Sequence, residues 1–200
     1  MRPAISICIA LLAGLSGVSC VSTRPVHYYT IHPAAVPSSQ SKPDGLVLLI
    51  ENFAAPEALQ DGRIRYRIGA NEAGVYEYHR WTERPGAMVR DALLRALQST
   101  GKYQRVLEAG SFETGDYLVR GKLYEFGEVD DASSIQTKIS LHVELVDRKT
   151  ARDVWDRTIE HEEPVSHKTV ADVVESLDRN LQQVVKQTAA EIDQFLAARQ

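Results

Sequence analysis

Cysteine is scarce in this sequence and lies near the N-terminus. The 200 residues contain two cysteines, Cys8 and Cys20. A metal site would need several thiolate or imidazole ligands, but the first histidine after Cys20 is His27. A catalytic thiol needs an ordered, electropositive pocket, whereas Cys20 begins a polar stretch that we expect to be flexible. The cysteine pattern therefore argues against a thiolate metal centre and against a thiol enzyme.

Basic clusters, long apolar runs and catalytic motifs are also missing. No segment after residue 20 approaches the roughly 20 apolar residues that a membrane-spanning helix needs. The net charge is −4 and no block of Lys and Arg stands out, which argues against nucleic-acid binding. The sequence has no Gly-rich phosphate loop, no Gly-x-Ser-x-Gly and no His-Glu-x-x-His. We therefore expect no enzymatic activity, no cofactor and no metal.

Histidines and paired carboxylates give no stronger sign of chemistry. The six histidines share no metal-ligand spacing. The pairs Asp130-Asp131 and Glu162-Glu163 fall in predicted turns, where acidic side chains favour local backbone hydrogen bonds and solvent. We interpret both pairs as solvated residues rather than as acid–base catalysts.

The first 19 residues have the order of a secretory signal peptide. The positively charged Arg2 is followed by an almost wholly apolar run over residues 4–15, and small residues come shortly before Cys20. The alternative is a buried N-terminal helix, but a run without an amphipathic face would need burial on every side. Removal of the signal would also remove Cys8, so Cys20 would have no disulfide partner within the chain.

Processing is the remaining explanation for Cys20. Small residues before a cysteine at the end of an apolar run resemble a bacterial lipoprotein signal, in which the cysteine becomes the acylated first residue of the mature protein. The position three residues before Cys20 is Gly17, where such signals usually have Leu. We expect a signal peptide at residues 1–19, lipidation at Cys20, a tether over residues 20–26 and a domain over residues 27–200.

The rest of the chain predicts a single compact α/β (α+β) domain. Arg63–Ile68 alternates perfectly and is followed, after a Gly-containing loop, by Val75–Trp81, which predicts a hairpin. In residues 135–146, apolar side chains and Thr137 alternate with polar ones, which is typical of a sheet with one face on a core and one in water. The predicted strands are residues 26–31, 46–50, 63–68, 75–81, 103–107, 117–126, 135–146 and 154–159.

Two amphipathic helices are predicted to pack on this mixed or antiparallel sheet. The first begins at Pro85, after the hairpin, and ends before Gly101. The second keeps a helical period from Val170 to Leu196, with Ser166 or Thr169 as a cap. The second helix is longer than one small sheet requires. Its apolar stripe therefore either crosses the sheet or faces a partner over part of its length.

A stripe of three cations lies on the first strand of the predicted hairpin. Arg63, Arg65 and Arg67 share one face because side chains alternate along a strand. They either bind an anion or a lipid headgroup, or they form a solvated face offset by Glu residues. The sequence leaves both interpretations open.

The second strand of the hairpin is rich in aromatic residues. Regular alternation places Tyr76, Tyr78 and Arg80 on one face, opposite Val75, Glu77, His79 and Trp81. Tyr and Arg are enriched at protein interfaces. We hypothesise that Tyr78, Arg80 and Trp81 contribute to a contact with a partner or subunit; the alternative is that they fix the corner between strand and helix.

Several stretches, taken in order, resemble the ABC-type transport auxiliary lipoprotein family and cover almost the whole chain after Cys20. They are Tyr28–Ile31, Arg65-Tyr66, Glu77–Gly86, Gly121–Phe126 and the C-terminal helix. The resemblance implies a compact α/β domain with helices on a mixed sheet. It implies no catalytic residues.

The same resemblance implies a function in the Gram-negative cell envelope. A lipoprotein of this family would lie on the periplasmic face of the outer membrane and dock an MCE-domain protein, whose ABC permease and ATPase lie in the inner membrane. Val21, in place of Asp, is compatible with transfer to the outer membrane. We expect an accessory subunit for transport of lipids or other hydrophobic molecules, of the type found in the paraquat-inducible system. Assembly into a homo-oligomer is compatible with this function.

Two other functions remain open. The first is a structural or regulatory envelope lipoprotein that assembles a multiprotein machine without lipid traffic. The second is a hydrolase whose site has no familiar motif. A hydrolase would need a nucleophile within hydrogen-bond reach of a base.

Overall fold

The computed structural model describes residues 24–31, 45–110, 112–131 and 134–199. The predicted signal peptide and Cys20 lie outside the described residues. Within them, eight strands and two α-helices form one α+β domain. The elements are β1 (His27–Tyr29), β2 (Val47–Ile50), β3 (Arg63–Ile68), β4 (Glu72–Trp81), α1 (Pro85–Ser99), β5 (Arg105–Glu108), β6 (Tyr117–Asp131), β7 (Ser134–Asp147), β8 (Arg152–Pro164) and α2 (Val170–Ala197).

The sheet is organised around β6, and it forks. On one side β6 pairs antiparallel with β7, which pairs antiparallel with β8. On the other side its first residues run parallel to β2, and its last residues run parallel to β3. β5 extends the β2 branch, while β4 and β1 extend the β3 branch. The mixed sheet expected from the sequence is therefore confirmed.

Both helices cover one face of the sheet. In β7, every second residue from Thr137 to Leu145 is fully buried, and α2 packs on β7, β8 and α1. The apolar stripe of α2, which includes Leu177, Val184 and Ile192, is almost completely excluded from solvent. Of the two alternatives for this helix, the structure shows the stripe crossing the sheet within one chain.

Local signals explain where the helices begin and end. Thr169 Oγ1 accepts a hydrogen bond from the Asp172 N–H at 3.1 Å, and this caps the first turn of α2. α1 begins at Pro85, whose ring presets the helical φ angle. Two residues after α1 ends, Gly101 has a φ of +65°, which favours a residue without a Cβ atom.

Two strands, β6 and β8, continue five residues beyond their predicted C-terminal ends. The apolar pattern ends at Phe126 and at Ile159, but β6 continues to Asp131 and β8 to Pro164. β6 continues because β3 pairs with it, and β8 continues because it stays paired with β7. The carboxylate pairs predicted to lie in turns are thus in strands. Apolar alternation fails there because the next residues on the covered face are polar: Glu128 bonds Tyr76, while His161 and Glu163 bond side chains of α2.

A buried polar cluster joins α2 to β7 and β8. Asn180, Ser176 and Thr137 are fully buried. The Asn180 amide donates hydrogen bonds to the carbonyl oxygens of Thr137 at 2.9 Å and of His161 at 3.1 Å. The Ser176 and Thr137 hydroxyls are 2.9 Å apart. Because these buried groups satisfy one another, the cluster favours one position of α2 along the strands.

Candidate functional site

The edge of the sheet next to the N-terminal tether is a narrow ribbon made of β1 and the end of β4. The strands run parallel, with His27 opposite His79, Tyr28 opposite Arg80 and Tyr29 opposite Trp81. Residues opposite each other in neighbouring strands point to the same face, and successive residues alternate between faces. One face of the ribbon therefore leads from the exposed His27 to the buried Trp81, and we call it the inward side; the other face turns to solvent.

The solvent-facing side carries aromatic, apolar and cationic groups. The exposed fractions are 65% for Tyr28, 40% for Val26 and 38% for Tyr78. The Arg24 guanidinium lies over the Tyr78 ring, 5.6 Å from its centroid. We call the surface formed by Arg24, Val26, Tyr28, Tyr78 and Arg80 the ribbon face.

Both arginines of the ribbon face lack carboxylate partners within the part of the chain that the structure describes. Neither Arg24 nor Arg80 forms an ion pair there, and Arg80, which is half-buried, has its Nε atom buried without a hydrogen-bond partner there. The neighbouring carboxylate of Glu77 is paired instead with Arg63, at 3.1 Å. The ribbon face therefore presents uncompensated positive charge.

The inward side of the ribbon is held by stacked rings. The His27 and His79 rings lie nearly parallel with centroids 5.2 Å apart, and the Tyr29 hydroxyl is 2.9 Å from His79 Nδ1. Burial, together with the nearby His27, lowers the pKa of His79. A neutral His79 is compatible with the close stacking, so these contacts hold β1 against β4.

A change of register in β4 brings one more aromatic residue, Tyr76, to this inward side. Arg63 lies opposite Arg80 and Arg65 opposite Val75, so four β4 residues face one residue of β3. The bulge places the Tyr76 ring 6.0 Å from His79 in an edge contact. Regular alternation predicts these two residues on opposite faces, and that prediction is wrong because the bulge interrupts the alternation.

Tyr76 also reaches a buried carboxylate. Its hydroxyl donates a hydrogen bond of 2.5 Å to Glu128 Oε2. Burial raises the pKa of Glu128, and the hydrogen bond from Tyr76 opposes that rise. Burial and the neighbouring Glu128 also raise the pKa of Tyr76. The pair ties the ribbon to β6 and leaves no exposed group that could act on a substrate.

The residues predicted to contact a partner separate into two groups. Tyr78 and Arg80 lie on the ribbon face, where a contact is feasible. Trp81 is only 4% exposed and packs edge-on against Phe126, with ring centroids 5.7 Å apart. Its indole therefore belongs to the core, where it fixes the corner between β4 and α1, and we remove Trp81 from the predicted contact.

Sequence reasoning missed three members of the ribbon face. The sequence pattern assigns Arg24, Val26 and Tyr28 to the tether and the first strand and indicates no contact role for them. Their i, i+2 spacing could have indicated a shared face. The partner strand that exposes this face could not be inferred, because β1 pairs with a segment about 50 residues away.

The stripe of arginines on β3 is largely compensated. Arg63 pairs with Asp61 at 2.6 Å and with Glu77, and Arg67 lies 4.0 Å from Glu125. Arg65 donates to the Ala58 carbonyl oxygen at 3.0 Å. Of the two interpretations of this stripe, the structure favours a solvated face offset by acidic residues.

A cleft of about 290 Å³ opens where the sheet forks. Its lining includes Arg65, Arg67, Tyr66, Glu125 and Lys138. Lys138 Nζ lies within 3.8 Å of Glu125, Glu160 and Glu162, so its charge is neutralised by acidic neighbours. The cleft is small for a ligand site, and ion-paired side chains interrupt a lining that also includes Leu59, Phe126 and Val129.

The described residues contain no group of three or more His, Cys, Asp or Glu side chains arranged to hold a metal ion. Two histidines instead make local contacts, since His161 Nδ1 lies 3.1 Å from Asn180 Oδ1 and His167 lies 3.2 Å from Asp172. Among the helices of the described part, none is long and apolar enough to cross a membrane.

Comparison with known proteins identifies one family and several similar folds. The family model described as ABC-type transport auxiliary lipoprotein component matches residues 29–189. Protein XCC0632 from Xanthomonas campestris is 23% identical, with a TM-score of 0.74 over 82% of this chain and 93% of that one. An uncharacterized protein is 17% identical, with a TM-score of 0.65 over 84% of this chain and 99% of that one. No curated protein matches the sequence.

Proposed function

Because the chain belongs to the family of ABC-type transport auxiliary lipoprotein components, we propose that it is a non-enzymatic accessory subunit of an MCE-type lipid transport system. The observation that carries this proposal is the family match, which spans almost the whole domain. The MCE-domain protein would link this subunit to an inner-membrane ABC permease and ATPase. The cargo would be a lipid or another hydrophobic molecule.

We further propose that acylated Cys20 holds the protein on the periplasmic face of the outer membrane. The signal-like residues 1–19 and Val21 after the cysteine support this placement. Because one acyl chain binds a membrane only marginally, stable anchoring would need the multiply acylated form of bacterial lipoproteins. The first strand begins at His27, so the folded domain would stand close to its anchor.

Docking, rather than carriage of lipid inside the domain, is the role that the geometry favours. The cleft at the fork of the sheet is small, and ion-paired side chains interrupt its largely apolar lining. The uncompensated and aromatic groups instead lie on the surface, on the ribbon face. Tyr78 and Arg80 therefore remain predicted to contact a surface outside the domain, without Trp81, and the site at which an MCE-domain protein docks is not assigned to them.

Affinity purification of the full-length protein from envelope membranes tests the proposal. Proteins that co-purify would be identified by mass spectrometry, and we expect an MCE-domain protein among them. A Cys20→Ser variant serves as the control for anchoring, and mass spectrometry of the mature N-terminus reports acylation. Recovery of the acylated protein without an MCE partner would contradict the transport role. Recovery with another stable multiprotein complex would instead support the structural or regulatory alternative.

A further inference from the structure

The tether places the ribbon face close to the proposed anchor. Arg24, a member of that face, is four residues after Cys20. An extended chain spans at most about 3.3–3.6 Å per residue, so the Cα atoms of Cys20 and Arg24 are no more than about 14 Å apart. If Cys20 carries the acyl chains, the ribbon face therefore lies within reach of the lipid headgroups.

The chemistry of the ribbon face suits a headgroup layer. Tyr28 and Tyr78 combine an apolar ring with a hydroxyl, and such side chains concentrate at membrane–water interfaces. Val26 adds an exposed apolar group. Arg24 and Arg80 supply positive charge that no carboxylate neutralises within the described residues, and guanidinium groups bind phosphate in a bidentate way.

We propose that the ribbon face rests on the lipid headgroups of the membrane that holds the anchor. The face thus sets the orientation of the domain on that membrane, with the aromatic rings at headgroup depth and the arginines on lipid phosphates. This inference rests on the proposed acylation of Cys20. It adds a specific surface to what would otherwise be attachment by a tether alone.

Exposure alone does not single out this surface. Phe112 is 98% exposed, but it lies on the loop between β5 and β6, which enters β6 at Tyr117. The ribbon belongs to the branch that joins β6 at its other end, near Glu128. Tyr124, 45% exposed with the Lys122 ammonium over its ring, is a second exposed aromatic residue; it lies on β6, which β3 separates from the ribbon. Phe112 and Tyr124 are therefore matched controls.

Site-directed fluorescence on the acylated protein tests the proposal. Single cysteines would be introduced as Tyr28→Cys, Phe112→Cys and Tyr124→Cys, and labelled with an environment-sensitive dye. Acylated Cys20 has no free thiol, so each label is unique. The proteins would be reconstituted on vesicles of phosphatidylethanolamine and phosphatidylglycerol, with and without headgroup-region spin-labelled lipid.

We expect a blue shift of emission and a loss of intensity with spin-labelled lipid for the label at position 28. The labels at positions 112 and 124 should keep their emission. Val26→Cys provides a second site on the same face, in case loss of the Tyr28 ring weakens the contact. Agreement between positions 26 and 28, against both controls, supports the proposal.

The other outcomes overturn the inference in distinguishable ways. Vesicle flotation without greater quenching at positions 26 and 28 than at the controls would leave the anchor standing and remove the membrane contact. Failure of the labelled proteins to float would remove the anchor and the contact together. Protection of positions 26 and 28 only after addition of an MCE-domain protein would assign the ribbon face to a protein partner.

Discussion

The half of the domain formed by β7, β8 and α2 differs from the ribbon in how its two faces are used. β7 pairs along its whole length with β6 and β8, and one of its faces is fully covered by helices. β1 pairs over three residues with β4, and the outward face of the ribbon has exposed tyrosines and unpaired arginines. The first region buries the apolar side chains of one face in the core, while the second presents exposed rings, and arginines without carboxylate partners within the described residues. This contrast is why the ribbon is the better place to look for a contact.

The inward side of the ribbon should nevertheless resemble the helix-covered half in its energetics. Trp81→Ala should lower the free energy of unfolding by about 3–5 kcal/mol, because it leaves a cavity beside Phe126. Urea denaturation followed by circular dichroism measures the change. If Trp81→Ala cost no more than Tyr78→Ser, the division of the ribbon into a core side and a free side would be wrong.

A smaller loss is expected in the helix-covered half when its buried polar cluster is cut. Asn180→Ala leaves the carbonyl oxygens of Thr137 and His161 without their side-chain donor and should cost about 1–3 kcal/mol. Gln183→Ala, an exposed position on the same helix, is the matched control and should change little. Equal unfolding midpoints for both variants would show that the cluster does not stabilise the position of α2.

The link between the ribbon and β6 should depend on pH. Burial raises the pKa of the Glu128 carboxyl above its ordinary value of 4.5. At a pH between the unfolded-state and folded-state pKa values, Glu128 therefore holds a proton in the folded protein that it has released in the unfolded chain. The contribution of Glu128 to stability is therefore greatest below about pH 4.5 and falls as the pH rises toward the folded-state pKa. Glu128→Gln removes this dependence.

The measurement is the difference in unfolding free energy between Glu128→Gln and the unaltered protein across a pH series. This difference should move in favour of the variant as the pH rises from about 4.5 and then level off. When the same comparison is made in proteins that carry Tyr76→Phe, the difference should keep changing to higher pH. The reason is that Tyr76→Phe removes the hydrogen bond that lowers the pKa of Glu128. A constant difference over the series would contradict the raised pKa.

The smallest effect on stability is expected on the ribbon face itself. Tyr78→Ser should change the unfolding free energy by no more than about 0.5 kcal/mol, because the ring is exposed and contributes little to the core. The same substitution should weaken quenching of a label at position 28 by spin-labelled lipid. A large loss of stability would instead indicate that Tyr78 is a structural residue.

The sequence predicted the buried faces of β7 and α2 well, but not the continuation of β8 to Pro164. The alternation in residues 135–146 and the apolar stripe of α2 match the faces that the structure buries. A buried face requires apolar residues at the period of the strand or helix, so the sequence shows it directly. The hairpin and the start of α1 at Pro85 were also predicted. These elements depend on local pattern and on capping residues.

The ribbon was predicted less well for a physical reason. The bulge in β4 changes the face of the sheet on which a side chain lies, and no residue pattern in the sequence predicts that bulge. The placement of Trp81 in the core and the exposure of Tyr28 both depend on pairing between distant segments. The Tyr and Arg content of β4 suggests a segment that contacts a partner. Only the pairing of β4 with β1 shows which of these side chains are exposed to solvent.

The central position of β6 also has a consequence for the order of folding. β6, β7, β8 and α2 are consecutive in the chain, so they can assemble through short loops at low entropic cost. β2 and β3 precede β6 in the chain but pair with it. They can therefore join the sheet only after residues 117–131 have formed their strand. We expect the C-terminal half to form the folding nucleus and the strand nearest the anchor to join late, after the rest of the sheet has formed.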